Sequence, residues 1–316
     1  MKRVIFFIDN EWAFGSIHYE LCKNLYQHYY NCRVLPWNKL YSIEEMKELN
    51  DVTDIFVSNP HGLKVLEEYK IPLNKIVIIA HARIDLIEMS KMPSSTISML
   101  KSYGCVSRWL CDLSEIEYKI HRKPKLTRIG INYDLYDNMI TDSLQTVGYS
   151  SAYHEKPKDE GENIYNNYNK RGWLVKEIVE SCGLKFKIAN RYHNSFVTMP
   201  GFYKNIDCVI TSSFEEGAGL PNIEGAAAGK LVITTEVGSF KNLSSNPCVI
   251  VPSDEKEFVE RTRETLLFYM NNPYKYKTDC KTIRSYAKSF DWENHIFSWI
   301  ECLEENNTFD LTQIKL

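Results

Sequence analysis

No stretch of this 316-residue chain stays apolar for the ~20 residues a membrane helix needs, the longest runs being Val4–Ile8 and Ile76–Ala80. A transmembrane segment is therefore not expected. Met1-Lys2-Arg3 leads directly into a strand pattern, without the apolar core and small-residue cleavage site of a secretory signal, so the expected location is cytoplasmic. Cys-x-x-Cys is absent, and nine scattered cysteines, an odd number, fit neither a disulfide framework nor a zinc knuckle. They read as buried free thiols. An excess of positive charge is also missing: the formal net charge is −3 with no strong basic stripe, so no nucleic-acid partner is expected. The short run Arg122-Lys123-Pro124-Lys125 reads as a solvated loop without a function of its own.

What the chain does contain is alternation. β-rich runs are separated by segments with helical periodicity, the spacing of βαβ units and a parallel sheet, so the fold class is α/β. A first series of strands is expected at Arg3–Asp9, Cys32–Pro36, Asp54–Ser58, Lys75–Ala80 and Leu126–Ile131. After the first of them a loop runs to Gly15-Ser16, Ser16 serves as N-cap, and Ile17, Leu21 and Leu25 mark one helix face. A second series is expected at Gln145–Tyr149, Lys185–Ala189, Asp207–Ser212, Leu231–Thr235 and Cys248–Pro252. Within it, Leu174, Ile178 and Cys182 share a helix face that Gly183 ends with a left-handed cap, and Ser253 or Asp254 caps a helix running towards Met270. A wide apolar stripe of Trp292, Ile296, Trp299, Ile300 and Leu303 closes the chain, with Asp291 as its expected N-cap. Residues 151–169 are dominated by Lys, Asp, Glu and Asn and read as a long exposed loop.

The segment Asp207–Phe240 carries the chemistry. A strand is followed by the turn Ser213-Phe214-Glu215-Glu216-Gly217-Ala218-Gly219, a helix opening at Leu220-Pro221, and a second strand from Leu231. Proline suits a helix's first turn, where its missing N–H would be unpaired anyway. Gly217 and Gly219 let backbone approach a ligand closely, and the free N–H groups of the helix start attract phosphate.

Glu216-Gly217-Ala218-Gly219-Leu220-Pro221-Asn222-Ile223-Glu224, two glutamates with seven residues between them, is followed by Gly225-Ala226-Ala227-Ala228-Gly229 and a strand. This resembles the signature of the retaining GT-B glycosyltransferases of family 4. Weaker likenesses lie at Gly130-Ile131-Asn132-Tyr133-Asp134-Leu135-Tyr136, at Gly148 with Arg171-Gly172 and Leu174, at Gly15, at His81, and at the terminal Phe290-Asp291-Trp292-Glu293. The resemblance implies two Rossmann-like domains facing across a cleft: an acceptor-side domain over 1–140, a donor domain over 141–289, and a C-terminal helix over 290–316 crossing back to the first. It implies a hexosyl-type transferase that takes its sugar from a nucleotide diphosphate-sugar, with Glu224 on the ribose and Glu216 on the donor sugar. Glu216 and His81 would be the catalytic groups, while Lys170, Arg171, Gly15, Gly217, Gly219 and Leu220 would join Glu224 in binding the donor. Tyr149 stands where the family places a phosphate-binding arginine, which shifts that charge to Lys170 or Arg171. Retention of configuration by front-face attack needs no protein nucleophile, and Asp-x-Asp, the carboxylate pair of the metal-dependent alternative fold, does not occur in the chain. No essential metal and no cofactor beyond the donor are expected. A glycan acceptor is favoured over a lipid-linked one.

Three other functions compete. Gly217-Ala218-Gly219-Leu220-Pro221-Asn222 with Glu236 is a partial dinucleotide fingerprint and would suit an oxidoreductase, but its third glycine is Asn222. A two-carboxylate glycosidase places its acids across a sugar cleft rather than on a phosphate-type turn. A non-catalytic sugar-nucleotide-binding protein would keep the fold without turnover.

Overall fold

The computed structural model describes residues 1–9, 12–137, 139–153, 169–189, 194–241 and 245–304. Most of the polar 151–169 stretch thus lies outside the described residues. The chain divides into two compact units, Met1–Gly130 with Trp292–Leu316, and Ile131–Asp291. The divisions fall at 130/131 and 291/292, where the sequence suggested 140/141 and 289/290.

Unit 1 is built on a six-stranded parallel sheet, β1 (Lys2–Phe7), β2 (Tyr30–Leu35), β3 (Ile55–Ser58), β4 (Ile76–Ala80), β5 (Ser102–Cys105) and β6 (Lys125–Leu126), in the order β2-β1-β3-β4-β5-β6. The apolar runs of β1 and β4 are buried, as strands covered on both faces require. β5 escapes sequence reading because Ser102-Tyr103-Gly104-Cys105 contains no β-branched residue. It is held instead by fit: a Cβ on Gly104 would stand 2.9 Å from the side chains of Ile79 and Thr127. The expected strand Leu126–Ile131 is only the short β6, and Ile131 makes a lone parallel bridge to Asp291 within unit 2. The first helix is also earlier than expected. It spans Trp12–Tyr26, so Ser16 is no N-cap and Gly15 sits inside the helix, buried, rather than in a loop before it.

The terminal helix Ile296–Leu303 belongs to unit 1. Its Trp299 is fully buried, with the indole Nε1–H donating to the Arg128 carbonyl at 2.8 Å. Asp291 is not its N-cap. His295 occupies that position, and the Asp291 carboxylate accepts instead from the Tyr133 backbone N–H at 3.1 Å in unit 2.

Unit 2 is a five-stranded parallel sheet, β7 (Thr146–Tyr149), β8 (Lys185–Ile188), β9 (Cys208–Thr211), β10 (Leu231–Thr234) and β11 (Val249–Ile250), in the order β11-β10-β9-β7-β8. Every expected strand of this series is present, each trimmed by one or more residues at its ends. Gly183 has φ +74° and ends the helix Gly172–Ser181, and Asp254 caps the helix Glu255–Asn271 by accepting from Glu257 N–H at 3.1 Å. All nine cysteines are free, and no helix among the described residues is long and apolar enough to cross a membrane.

Candidate functional site

In unit 2 the chain direction around the sheet reverses at β7, which is flanked by β8 on one side and β9 on the other. Ligands of open α/β sheets gather at such a point, beyond the carboxyl ends of the strands. The glycine turn follows β9, so Glu216, Gly217 and Gly219 lie beyond the carboxyl end of a strand beside that reversal.

The turn is shaped by backbone. Gly219, with φ +74° and ψ +46°, is the N-cap of the helix Leu220–Ala227, a left-handed conformation that costs an ordinary residue about 1–2 kcal/mol. A second glycine, not singled out by the sequence, completes it. Gly238, at φ +58°, lies so close that a Cβ would stand 2.5 Å from the Ala218 carbonyl carbon, and Ser239 N–H donates to that carbonyl's oxygen at 2.9 Å. Asn169 closes the other side: its Oδ1 accepts from Phe214 N–H and Glu215 N–H at 3.1 and 2.9 Å, and its Nδ2 donates to the Glu215 carbonyl. A lone asparagine beside a polar loop gave no signal of that role.

Glu216 is positioned by two donors. Its Oε1 accepts from Lys170 Nζ at 2.5 Å and from Ser213 Oγ at 2.6 Å, which leaves Oε2 uncommitted among the described residues. Lys170 and Glu216, read from the sequence as separate contributors, are thus one half-buried ion pair. The pair keeps Lys170 at the turn, where its charge can meet an anion. Gly217 and Leu220 flank it, both half-buried.

Arg171 differs from expectation. Only 1% exposed and with φ +47°, it donates from Nε to the Ser212 carbonyl and from Nη1 to the Ser253 carbonyl, each at 2.8 Å. Its guanidinium lies 3.9 Å above the Phe214 ring and 5.1 Å from that of Phe258. Two of its donor groups are spent on holding the strand end and the following loop; only Nη2 has no hydrogen-bond partner among the described residues. Tyr149 joins the same scaffold, its hydroxyl donating to the Lys170 carbonyl at 2.9 Å.

Glu224 is buried, 6% exposed, on the helix Leu220–Ala227. Tyr136 OH donates to one carboxylate oxygen at 2.9 Å and Tyr203 OH to the other at 2.8 Å. Burial pushes its pKa up to about 7, against the lowering effect of both phenols. Sequence reading gave neither tyrosine this role: Tyr136 stood out only as the end of the Gly130–Tyr136 segment, and Tyr203 lies on the helix Met199–Lys204, remote in sequence from the motif. Asn222, the residue that spoils the dinucleotide fingerprint, is fully buried: it accepts from Thr211 Oγ1 at 2.6 Å and donates to Thr234 Oγ1 at 2.8 Å, tying the helix to β9 and β10. A glycine there would lose both bonds.

His81 and Gly15 lie in unit 1. His81 follows β4, is 8% exposed, and packs edge-on against His18 at 5.4 Å between ring centroids. Burial, then the neighbouring His18, holds its pKa well below the usual imidazole value, so the ring is neutral near pH 7. Its backbone N–H and that of Ala82 donate to Asp85 Oδ2 at 2.8 and 3.0 Å, while burial raises the Asp85 carboxyl to about 6.

Comparison with solved structures decides the architecture. The chain is similar to sucrose-phosphate synthase from Thermosynechococcus elongatus, with TM-score 0.66 and 11% identity over 97% of this chain and 99% of that one. The fold is that of the GT-B glycosyltransferases. A glycosyltransferase from Rickettsia africae is similar at TM-score 0.66 and 15% identity, covering 98% and 99%, and shares this GT-B fold. So does Anabaena HepE in complex with UDP and glucose, at TM-score 0.62 and 13% identity, covering 96% and 99%. Residues 175–267 match the family model described as glycosyl transferases group 1, a span that contains the whole Glu216–Glu224 motif. No curated protein sequence matches this one.

Proposed function

We propose that the chain is a retaining, metal-independent glycosyltransferase that moves a hexosyl group from a nucleotide diphosphate-sugar to a glycan hydroxyl. The observation that carries this reading is the placement of the Glu216–Glu224 turn at the strand-order reversal of unit 2, inside the segment that matches the glycosyltransferase group 1 model. Occupation of a GT-B relative by UDP and glucose supports a nucleotide-sugar as the donor class.

On this reading the diphosphate meets the N–H groups at the start of the helix Leu220–Ala227 and the Lys170 ammonium, which offset the charge that grows on the leaving phosphate as the glycosidic bond breaks. Oε2 of Glu216 accepts from a donor-sugar hydroxyl. Ribose hydroxyls take the place of one or both tyrosine hydroxyls on Glu224, since phenol and diol offer the carboxylate the same O–H donors. Neutral His81 gives an uncharged hydrogen-bonding group on the first unit. The acceptor hydroxyl loses its proton to the departing phosphate.

The test is a thermal-shift and turnover panel of uridine, guanosine, adenosine and thymidine diphosphate-sugars, with nicotinamide dinucleotides alongside, on wild type and Glu216→Gln. Stabilisation by one diphosphate-sugar, with transfer that survives EDTA and falls at least about tenfold in the variant, supports the proposal. Stabilisation by a nicotinamide dinucleotide alone overturns it in favour of the oxidoreductase, and binding without transfer to any glycan favours a non-catalytic binding protein.

A further inference from the structure

A groove of about 620 Å³ in unit 1 lies along β6, the edge strand of the six-stranded sheet, and is lined by none of the candidate donor-site or catalytic residues. Pro124 and Leu126 line it, Arg108 borders it from the start of the helix Arg108–Asp112, and Asn294, His295, Ser298 and Glu301 border it from the terminal helix and the turn before it. Four cations surround it, Arg108, Lys123, Lys125 and Arg128, with Glu301 the single carboxylate in its lining. Glu301 Oε1 is taken by Lys125 Nζ at 2.8 Å. In a chain of net charge −3, so much positive charge around one concavity is a local concentration.

The sequence run Arg122-Lys123-Pro124-Lys125 divides here into two roles. Arg122 faces inward and donates to the Leu100 and Lys101 carbonyls at 2.5 and 2.8 Å, fixing the backbone that carries Lys123 and Lys125. The far end is fixed by the Trp299 bond to the Arg128 carbonyl. Arg108, Lys123 and Arg128 keep exposed side chains without ion-pair partners among the described residues. Cations set on anchored backbone around a concavity repel one another unless an anion fills it. With Lys125 paired to Glu301, two guanidinium forks and the Lys123 ammonium remain, and cations approaching from the helix Arg108–Asp112 and from both sides of β6 suit a tetrahedral phosphate, whose oxygens point several ways, better than a flat carboxylate. Asn294 and Ser298 add neutral polar groups suited to hydroxyls. We propose that this groove is a second ligand site, taking a phosphate ester of small-sugar size.

Binding of glucose 6-phosphate, with glucose as the uncharged control, tests this by calorimetric titration of wild type, Arg108→Gln/Lys123→Gln/Arg128→Gln, and Lys170→Ala. The expected result is saturable, salt-sensitive binding that the triple substitution weakens about tenfold or more and Lys170→Ala leaves unchanged. Because all three substituted side chains are exposed, melting temperature and circular dichroism should be those of wild type. A second arm measures co-sedimentation with vesicles of phosphatidylglycerol and of phosphatidylcholine. Vesicle binding lost in the triple variant, with no binding of glucose 6-phosphate, would support the site and assign the phosphate to a lipid headgroup. Binding weakened by Lys170→Ala and not by the triple substitution would overturn the proposal by placing the anion at the glycine turn, as would absence of binding in both arms. Donor binding and transfer are separate readouts, so this site can fail while the glycosyltransferase proposal stands.

Discussion

Glu224 is held by two phenols in a site that disfavours its charge. Its pKa of about 7 lies above the unfolded carboxyl's 4.5, so the folded state binds the extra proton between these values. The stabilising contribution is complete below pH 4.5 and lost as pH rises through 7. Glu224→Gln should therefore be stabilising at pH 8, by roughly 1–3 kcal/mol, and close to neutral at pH 4.5, read from urea midpoints at the two values. Donor stabilisation, if it depends on the carboxylate, should vanish in the same variant. The two left-handed glycines of the turn separate in a similar way. Gly219→Ala meets nothing nearer than 3.5 Å and should cost only backbone strain, about 1–2 kcal/mol. Gly238→Ala also drives a methyl to 2.5 Å from the Ala218 carbonyl carbon, so it should lower the melting temperature further and disturb the turn itself.

Asn222 ties the helix Leu220–Ala227 to β9 and β10, and Gly225 lets it lie close on Val209 of β9. Asn222→Ala removes two buried hydrogen bonds and strips partners from Thr211 and Thr234, and a loss of about 2–4 kcal/mol in unfolding free energy is expected. Nucleotide-sugar binding should weaken in that variant even at temperatures where it is fully folded, because the helix start is no longer fixed to β9 and β10. The motif was legible because its glycines, proline and glutamates have local jobs. Asn169, Gly238, Tyr136 and Tyr203 were not, since each acts on the turn through contacts made far along the chain. Arg171 shows the converse: a basic residue beside a phosphate-type turn reads as a ligand, yet its Nε and Nη1 are spent on carbonyls.

Each unit has its own sheet and core, but unit 1 is assembled from both ends of the chain. Trp299, fully buried and hydrogen-bonded to the Arg128 carbonyl, is the largest side chain of the terminal helix, so Trp299→Ala should destabilise that unit by about 3–5 kcal/mol. Expressed alone, residues 131–291 should unfold cooperatively in calorimetry, whereas 1–130 without the terminal helix should not. The opposite pairing of outcomes would show that the terminal helix is dispensable to the first sheet.

Alternating apolar runs and helical stripes determined the α/β class, the second strand series and most of the first, while glycines and a proline marked the turn, because strand period, helix period and turn chemistry are properties of neighbouring residues. Tertiary structure alone decided the rest. It supplied β5, whose side chains carry no strand pattern and whose place depends on the fit of Gly104. It moved Asp291 from a helix cap to the Tyr133 amide and gave Glu224 its two phenols. These depend on which distant segments meet, and that is set by packing a whole core rather than by any window of the chain.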